Sequence, residues 1–127
     1  MEITTQEINN TELITVKGRV DSVEAAGLAK ALEAAARRGK HKIVVDLSGV
    51  EYMSSAGFRA LGDAQRNSHR HQGGEVVLAQ VPALIHEALE MVGFTEYFHI
   101  EDTVAAALTF AENSPAGDST PRDEQLS

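Results

Sequence analysis

The stretch IVVDLSGVEYMSSAGFRAL, residues 43–61, decides the fold of this chain. It begins inside KIVVDL, residues 42–47, a nearly continuous apolar run that is typical of a strand covered on both faces. It ends inside a segment, residues 58–71, whose apolar side chains recur at helical spacing. Residues 48–54 are predicted to form a connection that is long for its kind. A strand followed by a helix in this way predicts one unit of a parallel sheet.

Similar patterns extend over the rest of the chain. Short β-like runs on either side of Asn9 predict a hairpin, and Asp21 is suited to begin a helix. Strand patterns then alternate with helix patterns, which predicts right-handed crossovers. The expected fold class is α/β, with a mixed, mostly parallel sheet of four to five strands and about four helices. The later elements are the strand EVVLAQ at 75–80, the helix VPALIHEALEMVGF at 81–94, the short strand YFHI at 97–100 and the helix EDTVAAALTFAE at 101–112.

The length of 127 residues fits a single domain. We assign this domain to residues 1–112. Residues 113–127 are rich in Ser, Pro, Gly and acidic side chains and contain few apolar ones. Such a segment cannot bury enough apolar surface to offset the entropy lost on ordering, so it is predicted to be a disordered acidic tail.

The composition argues against several classes of function. With Lys+Arg 11 and Asp+Glu 19, the formal net charge is −8, and an acidic surface disfavours direct binding to nucleic-acid phosphates. The absence of cysteine excludes disulfides and thiolate sites. No apolar run reaches the roughly 20 residues of a membrane helix, and the N-terminal residues lack a signal-peptide pattern. These features favour a soluble, cytoplasmic protein that does not contact a membrane.

Two adjacent serines, Ser54 and Ser55, fall where the second helix is predicted to begin. This position lies beyond the carboxyl end of a strand, where α/β sheets place their binding sites. A serine here can serve as a helix N-cap, worth about 1 kcal/mol. The apolar residues before the pair and the lightly covered backbone of Ala56 and Gly57 also suit the close approach of another protein. Val50 and Met53 can alternatively close the end of the core.

The stretch that contains the serine pair resembles the pattern of STAS domains, specifically of bacterial anti-sigma factor antagonists. The shared features are an apolar strand ending in Asp, a short turn, an apolar pair, and Ser-x-Gly followed by an apolar residue that opens a helix. The resemblance extends to VKGRVDSVEAAGL at 16–28 and to GGEVVLAQVPALIHEALEMVGFTEYFHIEDTVAAAL at 73–108. It therefore covers nearly the whole chain up to about residue 112.

The resemblance implies a partner switch that uses no catalytic residue, metal or cofactor. An unphosphorylated antagonist binds an anti-sigma factor, itself a serine kinase, and so releases a sigma factor. The kinase then phosphorylates the antagonist, and a serine phosphatase restores it. The family phosphoserine stands two residues before the Gly, which maps to Ser55; many members carry Asp where this chain has Ser54. The implied partner-binding residues are Asp21, Val50, Tyr52, Met53, Ser54, Ser55, Ala56, Gly57 and Phe58.

Two other functions stay open on the sequence. One is a non-enzymatic STAS scaffold in a signalling or lipid-transport assembly, in which Ser55 is structural. The other is a small hydrolase. The strand-to-helix turn that carries the nucleophile of an esterase has the pattern Gly-x-Ser-x-Gly, however, and this chain has Tyr52 or Met53 where the first Gly is needed.

Several polar residues permit both a structural and a functional interpretation. Asp21 is either a helix cap or a partner contact. Asp46 is expected to accept hydrogen bonds from backbone N–H groups of the following turn. His69 and His71 would lie about 200° apart on a helix and could not share one metal ion.

Overall fold

The computed structural model describes residues 1–114. The predicted order of strands and helices is confirmed, as is the α/β fold class. Of the predicted tail, residues 115–127 lie outside the described residues. The elements are β1 Glu2–Ile8, β2 Thr11–Val20, α1 Ala25–Arg37, β3 Lys42–Met53, α2 Ser55–Ser68, β4 Glu75–Ala79, α3 Ala83–Met91, β5 His99–Glu101 and α4 Val104–Glu112.

The sheet has five strands in the order β1-β2-β3-β4-β5. β1 and β2 form the predicted antiparallel hairpin, and Asn9 takes a left-handed conformation with φ 56° in its turn. The pairs β2–β3, β3–β4 and β4–β5 are all parallel. The carboxyl ends of β2 and β3 therefore meet at one edge of the sheet, and α2 begins there.

The predicted connection over residues 48–54 is wrong, because β3 continues to Met53 and only Ser54 separates it from α2. β2 pairs with this extension from Lys17↔Gly49 to Val20↔Met53, with register shifts between Thr15 and Lys17 and between Gly18 and Arg19. Such bulges disturb the alternation of inward and outward side chains that identifies a strand in a sequence. In the sequence, the part of β3 after residue 47 therefore had the pattern of a turn that contains several apolar residues.

The core is divided between the two faces of the sheet. On one face, α1, α2 and α3 cover a large apolar cluster that includes Ile43 and Val45 of β3. On the other face, α4 covers a smaller cluster that includes Val44 and Val77. The prediction that residues 42–47 form a strand covered on both faces is therefore confirmed. Within residues 1–114, no helix combines the length and apolarity needed to cross a bilayer.

Candidate functional site

The serine pair divides into a buried cap and an exposed first residue of α2. Ser54 is the N-cap, and its Oγ accepts a hydrogen bond from the backbone N–H of Gly57 at 3.3 Å. Its own N–H donates to the carbonyl of Val20 at 2.8 Å, which ties the start of α2 to the end of β2. Ser55 follows as the first residue of α2 and is exposed. The helix therefore begins where it was predicted, and the capping role belongs to Ser54.

Gly57 is required by the packing of α2 against the sheet. A Cβ added at Gly57 would lie 2.6 Å from Cγ of Met53 and 3.2 Å from Cγ1 of Val20. A real side chain cannot approach that closely, so only glycine lets this turn of the helix contact β2 and β3. The expectation that this backbone is open to a partner protein needs correction, because Gly57 is buried against the chain's own core.

Three residues predicted as partner surface have buried side chains. Val50, Met53 and Phe58 are 4%, 6% and 8% exposed and belong to the large core cluster. The prediction of an exposed apolar partner surface from these three residues is therefore corrected, since they fill the end of the core where β3 meets α2. Of the remaining predicted residues, Asp21, Tyr52 and Ser55 are exposed, Ala56 is half-buried, and Ser54 and Gly57 are buried.

Two surface residues near the carboxyl end of β2 were missed by the sequence analysis. Arg19 pairs with Tyr52 across β2 and β3, and its guanidinium carbon lies 4.6 Å from the centre of the Tyr52 ring. Val23, in the turn between β2 and α1, is 81% exposed. We call Arg19, Val23, Tyr52 and Ser55 the serine surface. No sequence pattern reveals the contact between Arg19 and Tyr52, because it depends on the bulged register of β2 against β3.

The two candidate aspartates both bind backbone N–H groups. Asp21 Oδ1 accepts from the N–H of Glu24 at 2.8 Å, which supports the turn that leads into α1. Asp46 is 8% exposed, and its Oδ1 accepts from the N–H of Ser48 at 3.0 Å. It also accepts from Nε2 of Gln80 at 2.9 Å, which joins β3 to the segment after β4. The predicted acceptor role of Asp46 is confirmed, and Asp21 combines a structural role with an exposed position.

The histidines are held by separate contacts. His69 Nε2 lies 3.2 Å from a carboxylate oxygen of Glu75, whereas the His71 ring stacks on His41 with centroids 3.5 Å apart. Burial and the neighbouring His71 both lower the pKa of His41. Among residues 1–114, no three His, Cys, Asp or Glu side chains gather as metal ligands.

The cap assignment predicts different effects of the two serines on stability. Ser54→Ala should lower the free energy of unfolding by about 1 kcal/mol, because the N–H of Gly57 loses the cap hydroxyl and keeps only the Ser54 carbonyl as acceptor. Ser55→Ala should leave stability nearly unchanged, since its side chain is exposed. Urea denaturation followed by circular dichroism measures both. Equal losses, or a larger loss for Ser55→Ala, would contradict the assignment.

Together, the fold and the site define a small α/β domain that presents a serine at the first turn of a helix, beside the ends of two parallel strands. The sequence profile of the STAS domain family matches residues 2–107. The chain therefore belongs to the STAS domain family, as its resemblance implied.

Known relatives and structures agree with this assignment. BtrV of Bordetella bronchiseptica, which carries the provisional name anti-sigma factor antagonist, is 30% identical over 107 residues, or 84% of this chain and 91% of BtrV. An anti-sigma factor antagonist from Mycobacterium paratuberculosis has a similar structure, with TM-score 0.80, 20% identity and coverage of 88% of this chain and 94% of that chain.

The anti-sigma factor antagonist SpoIIAA has the same fold and has been solved in two covalent states. The unphosphorylated form gives TM-score 0.71 at 15% identity, covering 88% of this chain and 99% of SpoIIAA. The phosphorylated form, described as a Bacillus cell fate determinant, gives TM-score 0.69 at 14% identity. The match covers 85% of this chain and 97% of SpoIIAA. At this level of identity the comparison establishes the shared fold.

Proposed function

We propose that this chain is a non-enzymatic anti-sigma factor antagonist. It binds an anti-sigma factor serine kinase, releases a sigma factor, and loses its partner when Ser55 is phosphorylated. The observation that carries this proposal is the exposed position of Ser55 as the first residue of α2, beside Tyr52 and the end of β2. The name of BtrV and the two states of SpoIIAA support it. This activity would place the chain in the cytoplasm, where sigma factors act.

The serine surface has the chemistry of a protein interface. Tyrosine and arginine are the residue types over-represented among the contacts that dominate binding energy, and Tyr52 and Arg19 already stack on one another. A stacked pair loses less side-chain freedom on binding than two free side chains do. Val23 adds an exposed apolar side chain to the same region. These residues would take over the role that the sequence assigned to the buried Val50, Met53 and Phe58.

Phosphorylation of Ser55 would change the charge of this surface without disturbing the fold. The kinase transfers the γ-phosphoryl group of ATP to Ser55 Oγ, the hydroxyl proton is lost, and ADP leaves. The phosphate adds about −1.5 to −2 charges at a helix N-terminus, where the helix dipole favours an anion. The helix should therefore persist, and the phosphate should act through charge and bulk at the interface. A serine phosphatase reverses the change by hydrolysing the ester to serine and inorganic phosphate.

The partner and the serine surface can be tested together by affinity capture from lysate of the source cells. The wild-type chain should capture an anti-sigma factor kinase, identified by mass spectrometry. Val23→Asp should lose it, because a charge replaces an exposed apolar side chain at the interface. The matched control is Thr109→Asp on α4, which places the same charge at an exposed position over the other face of the sheet.

The possible outcomes separate the two STAS functions. Capture of the kinase by the wild type and by Thr109→Asp, and its loss with Val23→Asp, supports the proposed interface. Equal capture by all three chains places the interface elsewhere. Recovery of signalling or transport proteins without any sigma-factor regulator would favour the scaffold function.

A further inference from the structure

A hollow of about 260 Å³ lies beside Ser55 on the surface of α2. One wall is formed by α2, and the other by the segment that follows α3. This segment packs closely on the helix at Gly62, where an added Cβ would lie 3.0 Å from Cζ of Phe94. The lining includes Ser55, Phe58, Arg59, Arg66, Val92 and Phe94.

The two arginines of the hollow have different surroundings. Arg66 is paired with Asp63 through a contact of 3.0 Å between Nη1 and Oδ1. Arg59 is exposed, and no carboxylate of residues 1–114 forms an ion pair with it. Arg59 also stands four residues after Ser55, so the two side chains project from the same side of α2 on successive turns. Arg59 is therefore the cation best placed to meet an anion on Ser55.

We propose that Arg59 binds the phosphate of phosphorylated Ser55 and holds it over the hollow. This inference rests on the proposed phosphorylation of Ser55. A guanidinium offers two parallel N–H donors that match two phosphate oxygens. The order is also favourable, because an anion four residues before a cation complements the helix dipole at both positions.

The pairing gives the phosphate a second way to exclude the partner. An unpaired phosphate would act mainly by repulsion and bulk at the serine surface. A phosphate held by Arg59 also covers the hollow between α2 and residues 92–94, and it engages an arginine that a partner could otherwise contact.

The pairing can be measured without any kinase. The full chain is produced with phosphoserine at position 55, incorporated during synthesis by amber suppression, and the second ionisation of the phosphate is followed by phosphorus NMR against pH. In the wild type, Arg59 favours the dianion and should lower the pKa of the phosphate. Arg59→Gln should reduce the acid dissociation constant by about 1.5- to 2-fold. The difference should shrink in about 1 M salt, which screens exposed charges.

The control variant is Arg70→Gln, which removes an exposed positive charge beyond the other end of α2. It should titrate like the wild type. Identical titrations of wild type and Arg59→Gln, or an equal shift in Arg70→Gln, would overturn the pairing. Because phosphoserine is incorporated directly, this titration does not depend on phosphorylation by a kinase. Failure of a kinase to phosphorylate Ser55 would count against the proposed function alone. Failure of Arg59→Gln to change the pKa of the phosphate would count against the pairing alone.

Discussion

Phosphorylation of Ser55 is expected to weaken binding of the anti-sigma factor by about 30- to 150-fold, which corresponds to a loss of about two to three kcal/mol. The phosphate places about −1.5 to −2 charges in the interface of a chain whose formal net charge is already −8. The effect should appear in the affinity and not in the fold, because the helix N-terminus favours an anion. Calorimetric titration of the phosphorylated and unphosphorylated chains with the purified anti-sigma factor measures it.

Two substitutions separate charge from the loss of the hydroxyl group. Ser55→Ala adds neither charge nor bulk, so it should bind like the unphosphorylated chain. Ser55→Asp should weaken binding, though less than phosphate does, because it adds one charge and a smaller group. Equal affinities of all four species would show that Ser55 lies outside the interface.

Gly57→Ala should destabilise the fold by about 1–3 kcal/mol, which is the usual cost of overpacking a core. The added methyl group would lie 2.6 Å from Cγ of Met53, so either that side chain or the start of α2 must shift. Thermal and urea denaturation measure the loss. Because Ser55 lies on the displaced turn, partner affinity should also fall at temperatures where the variant is still folded.

Gly27→Ala is the matched control for this substitution. Gly27 is an exposed glycine inside α1, and its added Cβ would meet only the flexible end of the Met1 side chain, at 3.1 Å. Alanine has the higher helix propensity, so this variant should gain about 0.5–1 kcal/mol. A Gly57→Ala variant as stable as the wild type would show that α2 does not need this close contact.

The order of strands and helices could be predicted from the sequence because each element carries its own pattern. KIVVDL has apolar side chains for both faces of the sheet, and Phe58, Leu61 and Gln65 form a stripe on α2 that is buried in the structure. The serine pair could be placed at a helix start because capping is a local property. Such features depend on neighbours within a few residues along the chain.

The composition of the candidate site could not be predicted, because it depends on pairing between distant segments. The bulges in β3 place Val50 and Met53 in the core and Tyr52 at the surface, where it meets Arg19. From the sequence, Val50, Tyr52 and Met53 were all candidates for a partner surface, and the alternative that Val50 and Met53 close the end of the core stayed open. Gly57 was similarly assigned to a partner, whereas its neighbour in space is Met53.

The proposed switch is Ser55, and not the adjacent Ser54. The most direct test is to incubate the wild type, Ser54→Ala and Ser55→Ala with the captured kinase and ATP, and to locate the phosphate by mass spectrometry. Phosphate is expected on Ser55 in the wild type and in Ser54→Ala, and none in Ser55→Ala, because Ser54 is buried as the cap and Ser55 is exposed. Phosphate on Ser54, or no phosphate on any chain while all three bind the kinase equally, would contradict it.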